Sequence, residues 1–351
     1  MTEENNNNNN TTPLVSVVMP IYGVERFVAE AIDSVLSQSF TDFEFIIVDD
    51  VSPDKSRAIC EEYSDERIRI IVHEKNRGLA GARNTGIRHA KGKYIALLDS
   101  DDKWTTDKLE KHVAHLNESP EVGVSFSRSV FMNEDGEMMN TYQMPKLSGI
   151  TPEHLLCRNP IGNGSAPVIR REVFVDIAYE DNLYGETEDY FFDDNFRQSE
   201  DIECWIRIAS LTDWDIEGLS EALTVYRLNS GSLSANIPKQ LATWEAVIDK
   251  ARIHSPELVN RAGGLARAYQ LRYLSRQAIR LQDGKMALSL VCQAIKQAPS
   301  IIWREPSRTL MTVGAALLQR VTPKAVYSSL EPLAIRVLGS TQRLRIALAR
   351  S

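Results

Sequence analysis

Cysteine is scarce in this chain of 351 residues: Cys60, Cys157, Cys204 and Cys292 stand far apart, with no CxxC pair. That spacing offers neither a zinc site nor a disulfide framework, and it predicts a reducing, cytoplasmic setting. No apolar run is long enough to span a bilayer. The first residues are polar and hold six consecutive asparagines. A signal peptide and a membrane span are therefore not expected, and 1–12 reads as a disordered Asn-rich leader. The first strand–helix turn has neither GxGxxG nor the phosphate-loop pattern, which argues against a usual dinucleotide fold and a Walker-type NTPase.

What is present is an ordinary globular composition, 43% apolar and 25% charged, enough for one large and one smaller domain. The net charge of −8 hides an asymmetry. Residues 1–240 hold 23 basic and 42 acidic side chains, net −19, whereas 241–351 hold 17 and 6, net +11. An acidic body with a basic tail predicts two modules with different neighbours, and the body's charge argues against nucleic acid as its main partner, since phosphate is repelled unless a metal intervenes.

From Val15 onward, short β-branched runs alternate with helical patterns. Val15–Met19, Phe43–Val48, Ile68–Val72 and Tyr94–Leu98 read as strands; Arg26–Ser37, Ser56–Tyr63 and Ala80–His89 read as helices. Such alternation predicts a mostly parallel sheet covered on both faces, with ligands beyond the carboxyl ends of its strands. Further on, Val122–Phe126 and Ser129–Met132 read as two strands and Ile202–Ala209 as a helix. A boundary near Asn236–Lys239 precedes Leu265–Leu281 and Met286–Gln297, a helical hairpin with small residues at Ala266, Ala268, Ala278, Ala287 and Ala294.

Acidic residues end two of the strands. In Asp99-Ser100-Asp101-Asp102, alternate side chains of an extended segment point the same way, so Asp99 and Asp101 can share one ligand or cation. Hard carboxylate oxygens select Mg²⁺ or Mn²⁺. The plainer alternative is a solvated acidic turn. Asp49-Asp50 ends the second strand similarly, and these four carboxylates repel one another unless a cation or a donor-rich ligand is present. Arg77, Arg83 and Arg88 can face phosphate oxygens, although Arg88 fits a solvated helix face. Tyr22 suits stacking on a base or an exposed turn equally.

Five segments together resemble the family 2 glycosyltransferases: Val15–Tyr22 (VSVVMPIY), Phe45–Asp50 (FIIVDD), Asn76–Ile87 (NRGLAGARNTGI), Lys91–Asp102 (KGKYIALLDSDD) and Ser199–Trp205 (SEDIECW). They follow the family's order and spacing across about Pro13–Ser234. The resemblance implies a GT-A fold: a Rossmann-like, mostly parallel sheet flanked by helices, here over 13–236, with a basic α-helical C-terminal region over 240–351. It also implies a nucleotide-sugar donor (a UDP-sugar foremost), a Mn²⁺ or Mg²⁺ ion and inversion at the anomeric carbon. Pro20, Tyr22, Asp50, Arg83 and Asp99 would bind the donor, Asp101 the metal, and Asp201 would be the catalytic base. Glu180-Asp181, Glu188-Asp189 and Asp193-Asp194 compete for that last role, and helix capping is the alternative for Asp201 itself.

Two departures stand out. Asn229 occupies a position where the family often has histidine; an amide oxygen but no imidazole is available there, which leaves metal coordination from this position open. The QxxRW motif of processive synthases is missing, so a single transfer is expected. The acceptor is expected to be a glycan or lipid-linked molecule. The basic tail either docks peripherally on an anionic membrane or packs as a helical bundle on the acidic body. The alternatives to transfer of a sugar are a silent nucleotide-sugar-binding or scaffold protein and a nucleotidyltransferase.

Overall fold

Seven consecutive residues of the first strand, β1 (Val15–Ile21), are buried, and period-two alternation assigns them to opposite sides of the sheet. Val15, Val17, Met19 and Ile21 join one apolar cluster while Val18 joins the other. The computed structural model describes residues 12–229, 236–322, 341–343 and 345–346. The asparagine run and residues 323–340 of the basic tail lie outside the described residues.

β1 pairs in parallel with β2 (Phe43–Asp49) and β4 (Tyr94–Leu97), and β2 with β3 (Ile68–Val72). The helices α1 (Val28–Leu36), α2 (Ser56–Glu61) and α3 (Gly78–His89) intervene. Pro20 is tolerated in this central strand because the pairing with β4 ends at Val18, so it pairs only toward β2. A reversed strand, β8 (Val168–Arg170), separates β4 from β6 (Val122–Met132), which pairs in parallel with β11 (Asp215–Arg227). The sheet order is β3-β2-β1-β4-β8-β6-β11-β5, where β5 is Lys103–Trp104 and β7 (Met138–Tyr142) lies against β6.

β6 runs unbroken where the sequence reads as two strands. Its polar centre stays in the ladder because Ser127 and Arg128 pair across a bulge with β11, and Arg128 donates to the Ser220 carbonyl at 2.8 Å. Between the strands lie α4 (Lys108–Glu118), α5 (Pro152–Cys157), α6 (Arg171–Ile177) and α7 (Glu200–Leu211). The segment around Tyr179–Tyr190 forms a small hairpin, β9 (Tyr179–Asp181) with β10 (Glu188–Tyr190).

The C-terminal part is helical: α8 (Ile237–His254), α9 (Pro256–Arg280), α10 (Gly284–Gln297), α11 (Ile301–Arg304) and α12 (Pro306–Val321). The helix expected from Leu265 begins nine residues earlier, because Pro256 is pre-set for a first helical turn. Trp244, Val247, Ile248, Leu258 and Val259 of α8 and α9 belong to the same apolar cluster as Phe192 and Trp205 of the sheet-bearing part. Lys250 of α8 pairs with Asp193 at 2.5 Å and Glu203 at 2.9 Å, so the opposite charges of the two halves meet in contact. No helix among the described residues is long and apolar enough to cross a membrane.

Candidate active site

The carboxyl ends of β2, β4 and β11 converge on one edge of the sheet. At the end of β2, both oxygens of buried Asp50 are occupied: Oδ1 accepts the Arg77 amide at 2.7 Å, and Oδ2 the Gly78 amide at 2.8 Å. His73 lies 2.8 Å from the same carboxylate and bridges to Thr85. Asp50 therefore anchors the start of α3, where positively charged helix-end amides suit an anion. Asp49 accepts the Ser52 amide at 2.9 Å. The mutual repulsion expected between the two acidic pairs is thus relieved at this strand by the chain's own donors.

After β4, the turn Asp99–Asp102 is folded against the segment Asn159–Ser165 and the end of β11. Ser165 Oγ receives the Asp99 amide and donates to Asp102 Oδ2 at 2.6 Å, and the Arg227 amide reaches Asp102 Oδ1 at 2.9 Å. Asp102 is buried, and desolvation, then the charges of Asp101 and Asp99, hold it well above the usual carboxylate range. Burial and the neighbouring Asp99 charge push Asp101 up to about 6. Asn229 Nδ2 donates to Asp101 Oδ2 at 2.7 Å, while its own Oδ1 is buried without a hydrogen-bond partner. Among the described residues no group of three or more acidic, histidine or cysteine side chains is arranged to hold a metal ion, but the orphaned Asn229 oxygen beside Asp101 is of the hard-oxygen type that suits Mn²⁺ or Mg²⁺.

Arg83 joins this turn to α7. Only 1% exposed, it donates to Asp99 Oδ1 at 2.5 Å and to Glu200 Oε1 at 2.8 Å, and its charge is strengthened by both. Both Nη groups are thus taken by protein carboxylates, while its Nε is buried without a hydrogen-bond partner. Gly164 makes the arrangement possible, since a Cβ there would lie 2.1 Å from Arg83 Nη2 and 2.7 Å from Asp99 Oδ2. Burial raises Glu200 to about 7 despite Arg83, and burial raises Asp201 as well. Asp201 is half-buried, meets the Asn159 amide at a long 3.4 Å, and has no ion pair among the described residues. It is not the helix cap: Ser199 holds that position in a left-handed conformation, φ 61°.

Of the competing acids, Asp193, Asp194 and Glu188 are engaged elsewhere, while Glu180, Asp181 and Asp189 are exposed. Asp193 pairs with Lys250, and Asp194 accepts from Asn84 and Tyr184. Glu188 binds both Arg77, at 2.8 Å, and Arg88, at 3.1 Å. Arg88, expected on a solvated face, is instead half-buried because the β9–β10 hairpin folds over α3 and supplies that carboxylate. Tyr22 stands exposed at the end of β1 and Pro20 is buried just before it. Sequence reasoning missed Ser165, Gly164, Asn159 and His73. The turn-rich string NPIGNGS (159–165) was the available signal for the first three.

Residues 16–177 match the family model for glycosyl transferase family 2. A Bacillus subtilis protein described as a teichuronic acid biosynthesis glycosyltransferase, TuaG, is 34% identical over 69% of this chain and 90% of its own length. The Escherichia coli UDP-Glc:alpha-D-GlcNAc-diphosphoundecaprenol beta-1,3-glucosyltransferase WfgD is 30% identical over 67% of this chain and 86% of its own. Among solved structures, the Pyrobaculum calidifontis mannosyltransferase PcManGT in complex with GDP-Man and Mn²⁺ superposes with a TM-score of 0.55 at 20% identity, covering 95% of this chain and 88% of that one. The sheet and its flanking helices have the expected GT-A fold.

Proposed function

Because the chain belongs to glycosyltransferase family 2, we propose that it moves one sugar from a nucleotide-diphosphate sugar to a hydroxyl of a lipid-linked acceptor in cell-envelope polysaccharide assembly. The name of the Escherichia coli relative gives a diphosphoundecaprenol-linked acceptor and a UDP-glucose donor, which supports this acceptor class, and that of the Bacillus subtilis relative gives teichuronic acid biosynthesis. The observation that carries the mechanism is the contrast between Asp201, which has no ion pair among the described residues and only a long contact to the Asn159 amide, and Glu200, Asp193 and Asp194, which are held by cations or closer donors.

In this reading Asp201 takes the proton of the acceptor hydroxyl as its oxygen forms a bond to the anomeric carbon. The bond from that carbon to the phosphate oxygen breaks, its electron pair leaving with the nucleoside diphosphate. Attack from the face opposite departure inverts the centre. Asp99, Asp101 and Asn229 would hold Mn²⁺ or Mg²⁺, which supplies neutralisation of the departing charge. Arg83 fixes Asp99 and Glu200 relative to each other, and Tyr22 offers an exposed ring for the base. Peripheral membrane contact fits a lipid-linked acceptor: Trp303, Leu310, Met311 and Val321 are exposed on α11 and α12, with Arg308 and Arg320 near them in sequence.

The test is a transfer assay with UDP-glucose, UDP-GlcNAc and GDP-mannose on a short prenyl-diphosphate-linked sugar, with Mn²⁺ or with chelator. Metal-dependent product of inverted configuration is expected from the full chain. A chain that binds donor yet releases no nucleotide diphosphate in any arm is a binding protein, and retained configuration overturns the single-displacement mechanism.

A further inference from the structure

Arginine is crowded where the C-terminal helices meet the sheet-bearing part. Arg158, just after α5, and Arg272 on α9 both pair with Glu305, between α11 and α12, and Arg308 approaches the same carboxylate at 3.9 Å. Arg272 is 1% exposed and also donates to Thr309 Oγ1. Arg276, one turn along α9, has a buried Nε with no hydrogen-bond partner and no ion pair among the described residues. Burial and the charges of Arg158, Arg272, Arg280 and Arg308 pull it down to about 10. One carboxylate thus serves several guanidiniums, and crowded, partly desolvated cations of this kind are relieved by an anion.

Through Arg158 the cluster adjoins, along the chain, Asn159, the residue whose amide reaches Asp201. The Arg276 guanidinium lies 6.0 Å from the Tyr273 ring.

We propose that Arg158 and Arg276, with buried Arg272 holding Glu305 in place, form the subsite for the diphosphate of the acceptor, beside the base that takes the acceptor's proton. The proposal rests on the lipid-linked-acceptor reading and adds to it the residues that bind. Guanidinium forks match phosphate oxygens two at a time, and Arg276 has donors to spare. The exposed Leu310 and Met311 of α12 follow Glu305 closely in sequence and offer apolar surface to a lipid chain.

The experiment titrates farnesyl diphosphate into the full chain in chelator, which keeps any cation-assisted binding at Asp101 out of the signal, with inorganic pyrophosphate as competitor. Arg276→Gln is expected to weaken binding about tenfold or more, Arg276→Lys to recover part of it, and both to keep the parent's melting temperature and Mn²⁺-dependent donor binding. Competition by pyrophosphate supports recognition of the diphosphate itself. If the parent and Arg276→Gln bind farnesyl diphosphate equally, the subsite is misplaced while the acceptor reading stands. If the parent binds no diphosphate yet binds donor, the acceptor reading fails and the subsite with it. If Arg276→Gln instead loses only co-sedimentation with phosphatidylglycerol vesicles, the arginines address bulk headgroups and the proposal is overturned.

Discussion

Glu200 and Asp201 sit side by side in the first turn of α7, yet only Glu200 is tied to a cation, 2.8 Å from Arg83. That difference sets two expectations for single side chains. Asp201→Asn keeps shape and helix-start polarity but cannot accept a proton, so transfer should fall by about 10²–10⁴ with donor binding and melting temperature near those of the parent. Because burial raises Asp201 and a base must be ionised, the acid limb of kcat/KM should lie above the ordinary aspartate range; a limb near pH 4 counts against the assignment. For Glu200, the folded-state value of about 7 exceeds the ordinary 4.5. The folded chain therefore holds a proton that the unfolded chain has released, and stability attributable to this group declines as pH rises from about 4.5 to 7. Glu200→Gln should gain melting temperature relative to the parent across that interval and hold a constant difference above it. A difference that shrinks with rising pH would refute the sign. At this scale the acids at strand ends and the SED string were legible, because residue type and spacing carry them. What Asp50 and Arg83 touch was not, since Arg77, Gly78 and Glu200 reach them only through folding.

Among elements, the parallel strands β1 to β4 could be read as short β-branched apolar runs and α3 as the helical segment between two of them, because strands of a sheet covered on both faces are apolar almost throughout. The segment 158–167 could not: it has neither pattern, yet it supplies Asn159, Gly164 and Ser165 to the catalytic edge. β6 was split in the reading for a related reason, since Ser127 and Arg128 are polar but satisfied by β11 across the bulge. Gly164→Ala tests how tightly that loop is fitted. The new methyl would lie 2.1 Å from Arg83 Nη2, and Arg83 is held between two carboxylates with no room to withdraw. Stability should drop by about 1–3 kcal/mol and transfer should fall with it, as Asp99 loses its partner. Chemical denaturation with a parent-like midpoint and full activity would show that Arg83 moves freely and that the bridge does not matter.

The whole molecule is where the charge asymmetry acquires its structural meaning. The basic half was expected either to dock on a membrane or to pack on the acidic body, and the described helices do pack there. Lys250 pairs with Asp193 and Glu203, Arg158 pairs with Glu305, and Gln342 holds both backbone groups of Tyr142. The apolar contribution is larger. Trp244, Val247, Ile248, Leu258 and Val259 complete the cluster that contains Phe192, Trp205 and Ile208. Each such side chain contributes about 1.5–3 kcal/mol when fully buried. Their joint loss is on the order of 10 kcal/mol, comparable with the whole stability of a typical domain at about 5–15 kcal/mol. Residues 13–236, legible as a catalytic unit, should therefore not stand alone. A chain ending at Asn236 is expected to lose its cooperative thermal transition and to bind a dye that reports exposed apolar surface, even though every acidic residue of the site, and Asn229, remains. High salt should not mimic the truncation, because exposed or half-buried pairs such as Lys250–Asp193 are worth little beside the apolar cluster. If the shortened chain melts cooperatively within a few degrees of the parent and still binds donor with Mn²⁺, the helices are an appendage, and their arginines act on the acceptor without supporting the fold.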